Sequence, residues 1–246
     1  MRKLISYPLT FLYFFFFGLI LVVFHPIQWI CFNLFGYEAH KKSVSLLNWC
    51  LMRSTHLLGT RYTFRMATEI PTDVPVIFVA NHQSMNDIPP LIWFFRKNHP
   101  KFVSKKELGK GIPSVSYNLR HSGAALIDRK NPKQALGEIA KLGRYIEAHN
   151  RSAVIFPEGT RSKTGHPRKF QPMGLKILLK NAPSAVIVPI SINNSWKLLQ
   201  YGKFPYTAGI HFTIDVHAPV KNKGNVAAII DEVEATITAG ITSFKI

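Results

Sequence analysis

His82 and Asp87 stand five positions apart in Asn81-His82-Gln83-Ser84-Met85-Asn86-Asp87, and together they make a general-base unit. A neutral imidazole takes a proton from a hydroxyl near neutral pH, and a carboxylate on its other nitrogen fixes the tautomer and steadies the imidazolium. In one continuous helix, residues at this spacing lie about 140° apart around the axis and cannot meet. His82 must therefore precede the helix, and the chain must bend back to bring Asp87 to it. Asp87 also has ordinary structural roles. As a helix N-cap it would bond the second or third helical N–H, but those positions are Pro89 and Pro90, which have none. A capping box between Ser84 and Asp87 survives this objection and can coexist with the histidine contact.

The element that must deliver His82 is the apolar run 74–80, β-branched and apolar on both faces, which reads as a buried strand. Strand ends of α/β proteins open onto clefts where chemistry is done. A second run, 152–156, leads straight into Pro157-Glu158-Gly159-Thr160-Arg161-Ser162. Gly159 permits positive φ or a close backbone approach, Arg161 offers a planar fork for two phosphate oxygens, and Glu158 can orient that arginine or bond a ligand hydroxyl. Taken alone, this loop would be a surface turn with an ordinary ion pair. A third run, 124–127, ends in Asp128-Arg129, either a phosphate clamp or a turn pair of little energetic worth. Lys105 and Lys106 follow the short strand 101–104 and either add positive potential or are solvated surface lysines. In Val186-Ile187-Val188-Pro189-Ile190, Pro189 predicts a strand edge or end, in a segment that is either plain core or an acyl-side wall.

The whole chain sets the context for these residues. Its 246 residues, 47% of them hydrophobic, suffice for one globular domain with an appendage. A net charge of +18, from 31 Lys+Arg against 13 Asp+Glu, calls for an anionic partner. No RNA-binding, zinc-finger or helix-turn-helix pattern is present, so nucleic acid is not expected. Cys31 and Cys50 are too few for a disulfide scaffold and lack ligand spacing, which implies a reducing compartment and no metal.

Residues 4–24 carry no charge, and a helix over 8–24 is about 25 Å long, slightly short of a hydrocarbon core of about 30 Å. His25-Pro26 is expected to break it. The next apolar stretch, 27–37, is too short to span, and Glu38, His40, Lys41 and Lys42 close it. No small-residue cleavage site follows, which disfavours a signal peptide. Basic residues on both flanks favour a hairpin dipping into one leaflet over a spanning helix, with both flanks cytoplasmic and Trp29 and Trp49 at the interface. Residues 1–60 thus form a hydrophobic anchor and 61–246 the globular domain, joined by a helix over 43–58. Strands at 74–80, 101–104, 124–127, 152–156, 185–192 and 210–216 alternate with helices at 90–97, 113–121, 132–150, 174–181 and 225–241. That alternation predicts an α/β layered fold with a mostly parallel mixed sheet flanked by helices. No G-x-S-x-G elbow, Walker or dinucleotide glycine pattern occurs, and nothing marks Ser84 as a nucleophile. Direct attack by a bound hydroxyl, without an acyl-enzyme, is the economical chemistry.

Four segments in order, Asn81-His82-Gln83-Ser84-x-x-Asp87, Gly123-x-x-x-Ile127-Asp128-Arg129, Phe156-Pro157-Glu158-Gly159-Thr160-Arg161-Ser162 and Val188-Pro189-Ile190, resemble the glycerolipid acyltransferase family, and within it the 1-acylglycerol-3-phosphate acyltransferases. The resemblance covers roughly residues 65–200. It implies a layered acyltransferase fold, His82 as general base with Asp87 as its partner, and Arg129, Glu158, Gly159 and Arg161, with Lys105 less directly, around a phosphorylated acceptor. Pro189 falls on the acyl side. Met85 and Asn86 occupy positions from which no specificity is drawn. The implied substrates are lysophosphatidic acid and an acyl thioester of coenzyme A or acyl carrier protein, met at a membrane lipid surface, with no resident cofactor. Three alternatives remain: another lysolipid acceptor; a non-catalytic phospholipid-binding protein, which would be indifferent to His82 and Asp87; and a lysophospholipase, against which the missing nucleophile elbow counts.

Overall fold

The computed structural model describes residues 1–242 and Phe244; the expected domain boundary at 246 lies outside the described residues. Eight strands form one sheet: β1 (Arg61–Met66), β2 (Val76–Ala80), β3 (Pro100–Lys105), β4 (Ala125–Ile127), β5 (Ser152–Ile155), β6 (Val186–Asn193), β7 (His211–Val216) and β8 (Val220–Lys221). Their order is β1-β7-β6-β2-β5-β3-β4, with β8 also on β6. β2 runs parallel to β5 and β6, and β3 parallel to β5 and β4, whereas β6 meets β7 and β8 antiparallel. The expected mostly parallel, mixed sheet is therefore present, and β1 and β8 are additions to it. β1 carries the half-exposed sequence Arg-Tyr-Thr-Phe-Arg-Met, which lacks the continuous apolar run that marks the central strands.

The alternation of side chains along β2 shows why that run is apolar throughout. Ile77 and Val79 face one core with Ala153, Ile155 and Ile187, covered by α4 (Pro132–His149), α5 (Pro172–Asn181) and α6 (Val226–Gly240). Val76, Phe78 and Ala80 face the other with Val154, Val188 and Phe212, covered by α2 (Ile88–Phe94) and its flank. Phe78 is fully buried and stacks on Phe95 at 4.0 Å. Each such aromatic contributes about 1.5–3 kcal/mol on burial. α3 (Val115–His121) completes the helical set at the β3–β4 edge.

The N-terminal helix α1 (Arg2–Ser54) departs from expectation at its break. Neither Pro8 nor Pro26 interrupts it; the chain turns instead at Gly36, whose φ of 74° and ψ of −165° suit glycine alone. The first arm, residues 2–35, is about 50 Å long, twice the expected length. The second arm, residues 37–54, runs back against it, burying Leu21 and Phe24 with Leu47 and Leu51. The first arm is inside out. Ser6, Thr10 and Tyr13 are buried against the globular part, while Leu4, Phe11, Phe15, Leu19 and Val22 are exposed at spacings that share one helical face. The inward polar groups have partners: Ser6 Oγ accepts from the Ala208 amide at 3.1 Å and Thr10 Oγ1 from the Tyr206 amide at 2.9 Å. Both ends of the hairpin meet one loop, Arg2 donating to the Ala208 carbonyl and Gly209 to the Leu58 carbonyl.

Pro189 is a second correction. It lies inside β6, an interior strand, with Val79 as its β2 partner, and is neither at an edge nor at a strand end. The missing N–H is tolerated because β7 ends at Val216 and β8 begins at Val220, leaving that side of β6 without a ladder strand. There His217 donates to the Pro189 carbonyl at 2.9 Å.

Candidate active site

β2 ends at Ala80, and Asn81 locks that end in place. Its side chain donates to the Ile192 carbonyl at 2.9 Å and accepts from the Ile192 amide at 2.7 Å, continuing the ladder with β6. His82 follows, and a single 3-10 turn over Met85–Asp87 folds the chain back before α2 begins. Asp87 Oδ2 reaches His82 Nδ1 at 2.7 Å and also accepts from the amides of Gln83 and Ser84, at 2.8 and 2.9 Å. The capping box and the histidine contact coexist, as the proline argument allowed.

Because Asp87 serves as acceptor in all three contacts, Nδ1 carries the hydrogen and Nε2 is left as a proton acceptor. Asp87 is fully buried, and the His82 side chain retains 14% exposure, enough to meet a ligand. Phe156 leaves β5 and stacks on the imidazole at 4.2 Å and 18°, fixing the ring plane. Ser162 donates to the His82 carbonyl at 2.7 Å, tying the loop after β5 to the loop after β2.

The parallel strands β2, β3, β4 and β5 end on one side of the sheet, so His82, Lys105, Arg129 and the 157–162 loop share that edge. Lys105 is the last residue of β3, opposite Ile127, and is exposed. Arg129 and Arg161 are both exposed and close enough to feel each other's charge. Partial burial of its guanidinium nonetheless draws Arg129 below its usual range, Glu107 raises it, and Arg161 lowers it further. Asp128 does not pair with Arg129. It accepts from Lys106 at 2.5 Å and from the Lys130 amide, which occupies Lys106, and Arg129 makes no ion pair among the described residues. Gly159 has a φ of 69°, and a Cβ there would meet the Gln171 side chain at 3.3 Å, so the turn requires glycine. Pro189 sits deeper, in the body of the sheet, and is buried.

Glu158 is only 3% exposed and forms no ion pair with Arg161 among the described residues. Burial pushes its carboxyl up to about 8; the Asp87 charge adds to the rise, and the His82 amide and Arg168 oppose it. Near neutral pH it is a hydrogen-bond donor as much as an acceptor. Since its folded value lies above the unfolded one near 4.5, its contribution to stability is complete below that value and is lost as pH rises through about 8. Melting temperatures of wild type and Glu158→Gln should therefore converge at low pH and separate toward pH 8, the wild type falling more steeply. Parallel pH profiles would refute this burial effect.

Two contributors escaped the sequence reading. Asn86 is 4% exposed, donates through Nδ2 to Ser84 Oγ at 3.3 Å, and accepts from Tyr13 of the first hairpin arm at 3.1 Å. Tyr13 stacks on Tyr206 at 5.5 Å, and Tyr206 lies within reach of the Arg161 charge. The hairpin thus props the Met85–Asp87 turn through the Tyr13–Asn86 contact. No local signal in the sequence links residue 13 to residue 86. Phe156, by contrast, was visible as the aromatic residue ending an apolar run.

A mostly parallel sheet with a carboxylate-held histidine at its carboxyl edge, and arginines on the same edge, is an α/β architecture whose geometry can activate a hydroxyl near an anionic group. Residues 39–193 match the Acyltransferase family model, and the chain belongs to that family. It is 38% identical over 135 residues to a 1-acyl-sn-glycerol-3-phosphate acyltransferase of Helicobacter pylori, covering 51% of this chain and 54% of that relative. To the Pseudomonas aeruginosa protein of the same name it is 27% identical over 194 residues, covering 78% and 74%. The chain spans about half the length of the Helicobacter relative and of one from Cocos nucifera, at 54% and 49%. The crystal structure of the 1-acyl-sn-glycerophosphate (LPA) acyltransferase PlsC from Thermotoga maritima superposes with a TM-score of 0.81 at 26% identity, covering 98% of this chain and 96% of that one.

Proposed function

We propose that the protein transfers a fatty acyl group from an acyl thioester to the sn-2 hydroxyl of 1-acyl-sn-glycerol-3-phosphate, giving phosphatidic acid. The observation that carries this reading is the Asp87–His82 contact, which leaves Nε2 as the proton acceptor at the sheet edge shared with Arg129 and Arg161. The names of the relatives point to the same acceptor. His82 Nε2 takes the hydroxyl proton as the oxygen attacks the thioester carbonyl. The carbon–sulfur bond then breaks, and the imidazolium returns the proton to the leaving thiolate. Arg129 and Arg161 hold the acceptor phosphate with Lys105 nearby, Glu158 and Gly159 shape its loop, and Pro189 backs the acyl side. The donor is acyl-coenzyme A or acyl-acyl carrier protein, both anionic like the acceptor, and no resident cofactor or metal takes part. The test is thiol release by the purified protein in detergent or liposomes. Release that needs lysophosphatidic acid supports the reading; release without acceptor indicates hydrolysis instead.

The N-terminal helix, long and apolar enough to cross a membrane, supports membrane association. We place the catalytic domain on the cytoplasmic face, with the hairpin lying in one leaflet. The exposed apolar face of the first arm and the return of both hairpin ends to the loop at residues 208–209 support the hairpin. A reporter fused ahead of Met1 should lie on the same side of the membrane as one at the C-terminus. Opposite sides would exclude the hairpin.

A further inference from the structure

We propose that the cleft between the second hairpin arm and the end of α2, lined by Lys41, Lys42, Leu46, Trp93, Arg96 and Lys97, binds the phosphate headgroup of an anionic phospholipid. The cleft has a volume of about 320 Å³, and no carboxylate lines it. Its cations are poorly compensated. Lys41 reaches Glu38 at 3.4 Å, but the Glu38 side chain is 61% exposed and the pair is weak. Lys42 and Lys97 make no ion pair among the described residues. Arg96 is built for recognition: its guanidinium lies 4.2 Å over the Trp93 ring, and Nη1 donates to the Trp93 carbonyl at 2.8 Å. That posture holds a planar fork toward the cleft, a geometry suited to phosphate oxygens.

Behind the cleft lies a smaller chamber that shares Lys41, Ser45 and Arg96 with it. Further basic groups gather there, with Glu38 as a partial counter-charge. Lys101 is 4% exposed, and burial, together with Arg151 and Lys41, pushes its ammonium down to about 7. Its Nζ donates to the Tyr37 hydroxyl at 2.8 Å, while Arg151 packs on the Tyr37 ring at 3.8 Å. His40 Nε2, from a residue lining this chamber, is buried without a hydrogen-bond partner. Cations that outnumber the nearby carboxylate of Glu38 favour an anion.

This site is separate from the acceptor site. Lys101 lies at the start of β3 and Arg151 just before β5, at the sheet edge opposite His82. A lipid, in preference to a free anion, is indicated by the surroundings. Leu46 is 48% exposed one turn beyond Lys42, and Leu34 and Phe35 are about two-thirds exposed beside the Gly36 turn. Tryptophan, basic residues and exposed aliphatic groups together are the signature of a membrane interface.

The proposal rests on membrane association and not on the acyl acceptor, so the two can fail separately. The full-length protein is partitioned onto phosphatidylcholine vesicles with and without phosphatidylglycerol. Three chains are compared: wild type, the cleft variant Lys42→Gln/Arg96→Gln/Lys97→Gln, and the control Lys133→Gln/Lys176→Gln/Lys180→Gln, which removes equal charge from α4 and α5. At about fivefold per cation, the cleft variant should lose about a hundredfold of its preference for anionic vesicles. The control should keep most of its preference, and all three should show equal turnover in detergent and equal melting temperatures. Equal losses in the two variants overturn the site in favour of diffuse surface charge. Abolition of the wild-type preference by inorganic phosphate at constant ionic strength assigns the cleft to a free anion. Retained vesicle preference with turnover lost only for the acyl carrier protein donor assigns it to the carrier; each of these overturns the lipid assignment.

Discussion

His82→Ala should reduce acceptor-dependent thiol release by about 10²- to 10⁴-fold, equivalent to about 3–5 kcal/mol of barrier, while leaving the melting temperature close to that of the wild type. Nδ1 is held 2.7 Å from Asp87, and in the proposed mechanism Nε2 takes the hydroxyl proton, so the side chain acts there as a reacting group more than as a packing one. Asp87→Asn should also be severely impaired. Its amide can offer its oxygen to the backbone donors of Gln83 and Ser84 or to Nδ1–H, but it supplies no negative charge beside the imidazolium formed during attack. A folded His82→Ala protein that kept most of its rate would remove the general-base mechanism. It would also revive the non-catalytic binding alternative.

Arg161→Ala should raise the KM for lysophosphatidic acid about tenfold and change kcat less, because an exposed charge-assisted contact is worth less than a buried one. The loss falls on the acceptor because Arg161 stands in the loop tied to His82 through the Ser162 amide, within the electrostatic field of Arg129. Arg129→Ala should act in the same direction, and the double variant should lose less than the product of the two effects, since neighbours on one phosphate are coupled. The measurement is initial rate against acceptor concentration at saturating donor. An unchanged acceptor dependence in both single variants would remove the phosphate role. A fall in donor affinity instead would move the arginines to the thioester side.

Much of this was legible in the sequence because the relevant physics is local. A strand buried on both faces must be apolar throughout, so β2 and β5 announce themselves, and polar residues at their ends announce loops. The geometry of a helix forbids a His82–Asp87 contact within it, which required the turn that the structure contains. Prolines without N–H groups removed the simple cap at Asp87. The hairpin was legible as two apolar stretches, but its turn was misplaced. Pro26 is accommodated within the first arm, and the reversal falls at Gly36, where only glycine adopts the required backbone angles. Pro189 misled for a related reason: a missing N–H is costly only where a neighbour needs it, and the gap between β7 and β8 lies in the sheet and not in the local sequence.

By itself, then, the sequence determined the strand-loop units that carry His82, Arg129, Glu158 and Arg161, the pairing of His82 with Asp87, and the apolar character of the N-terminal helix. Tertiary structure alone decided that these units share one edge of one sheet, that Lys106 and not Arg129 takes Asp128, and that the hairpin turns its polar side inward. It also brought Tyr13 to Asn86 across 73 positions of sequence. Patterns of periodicity and capping act within a few residues, whereas strand order, burial and the field of distant charges are set only when the whole chain has packed.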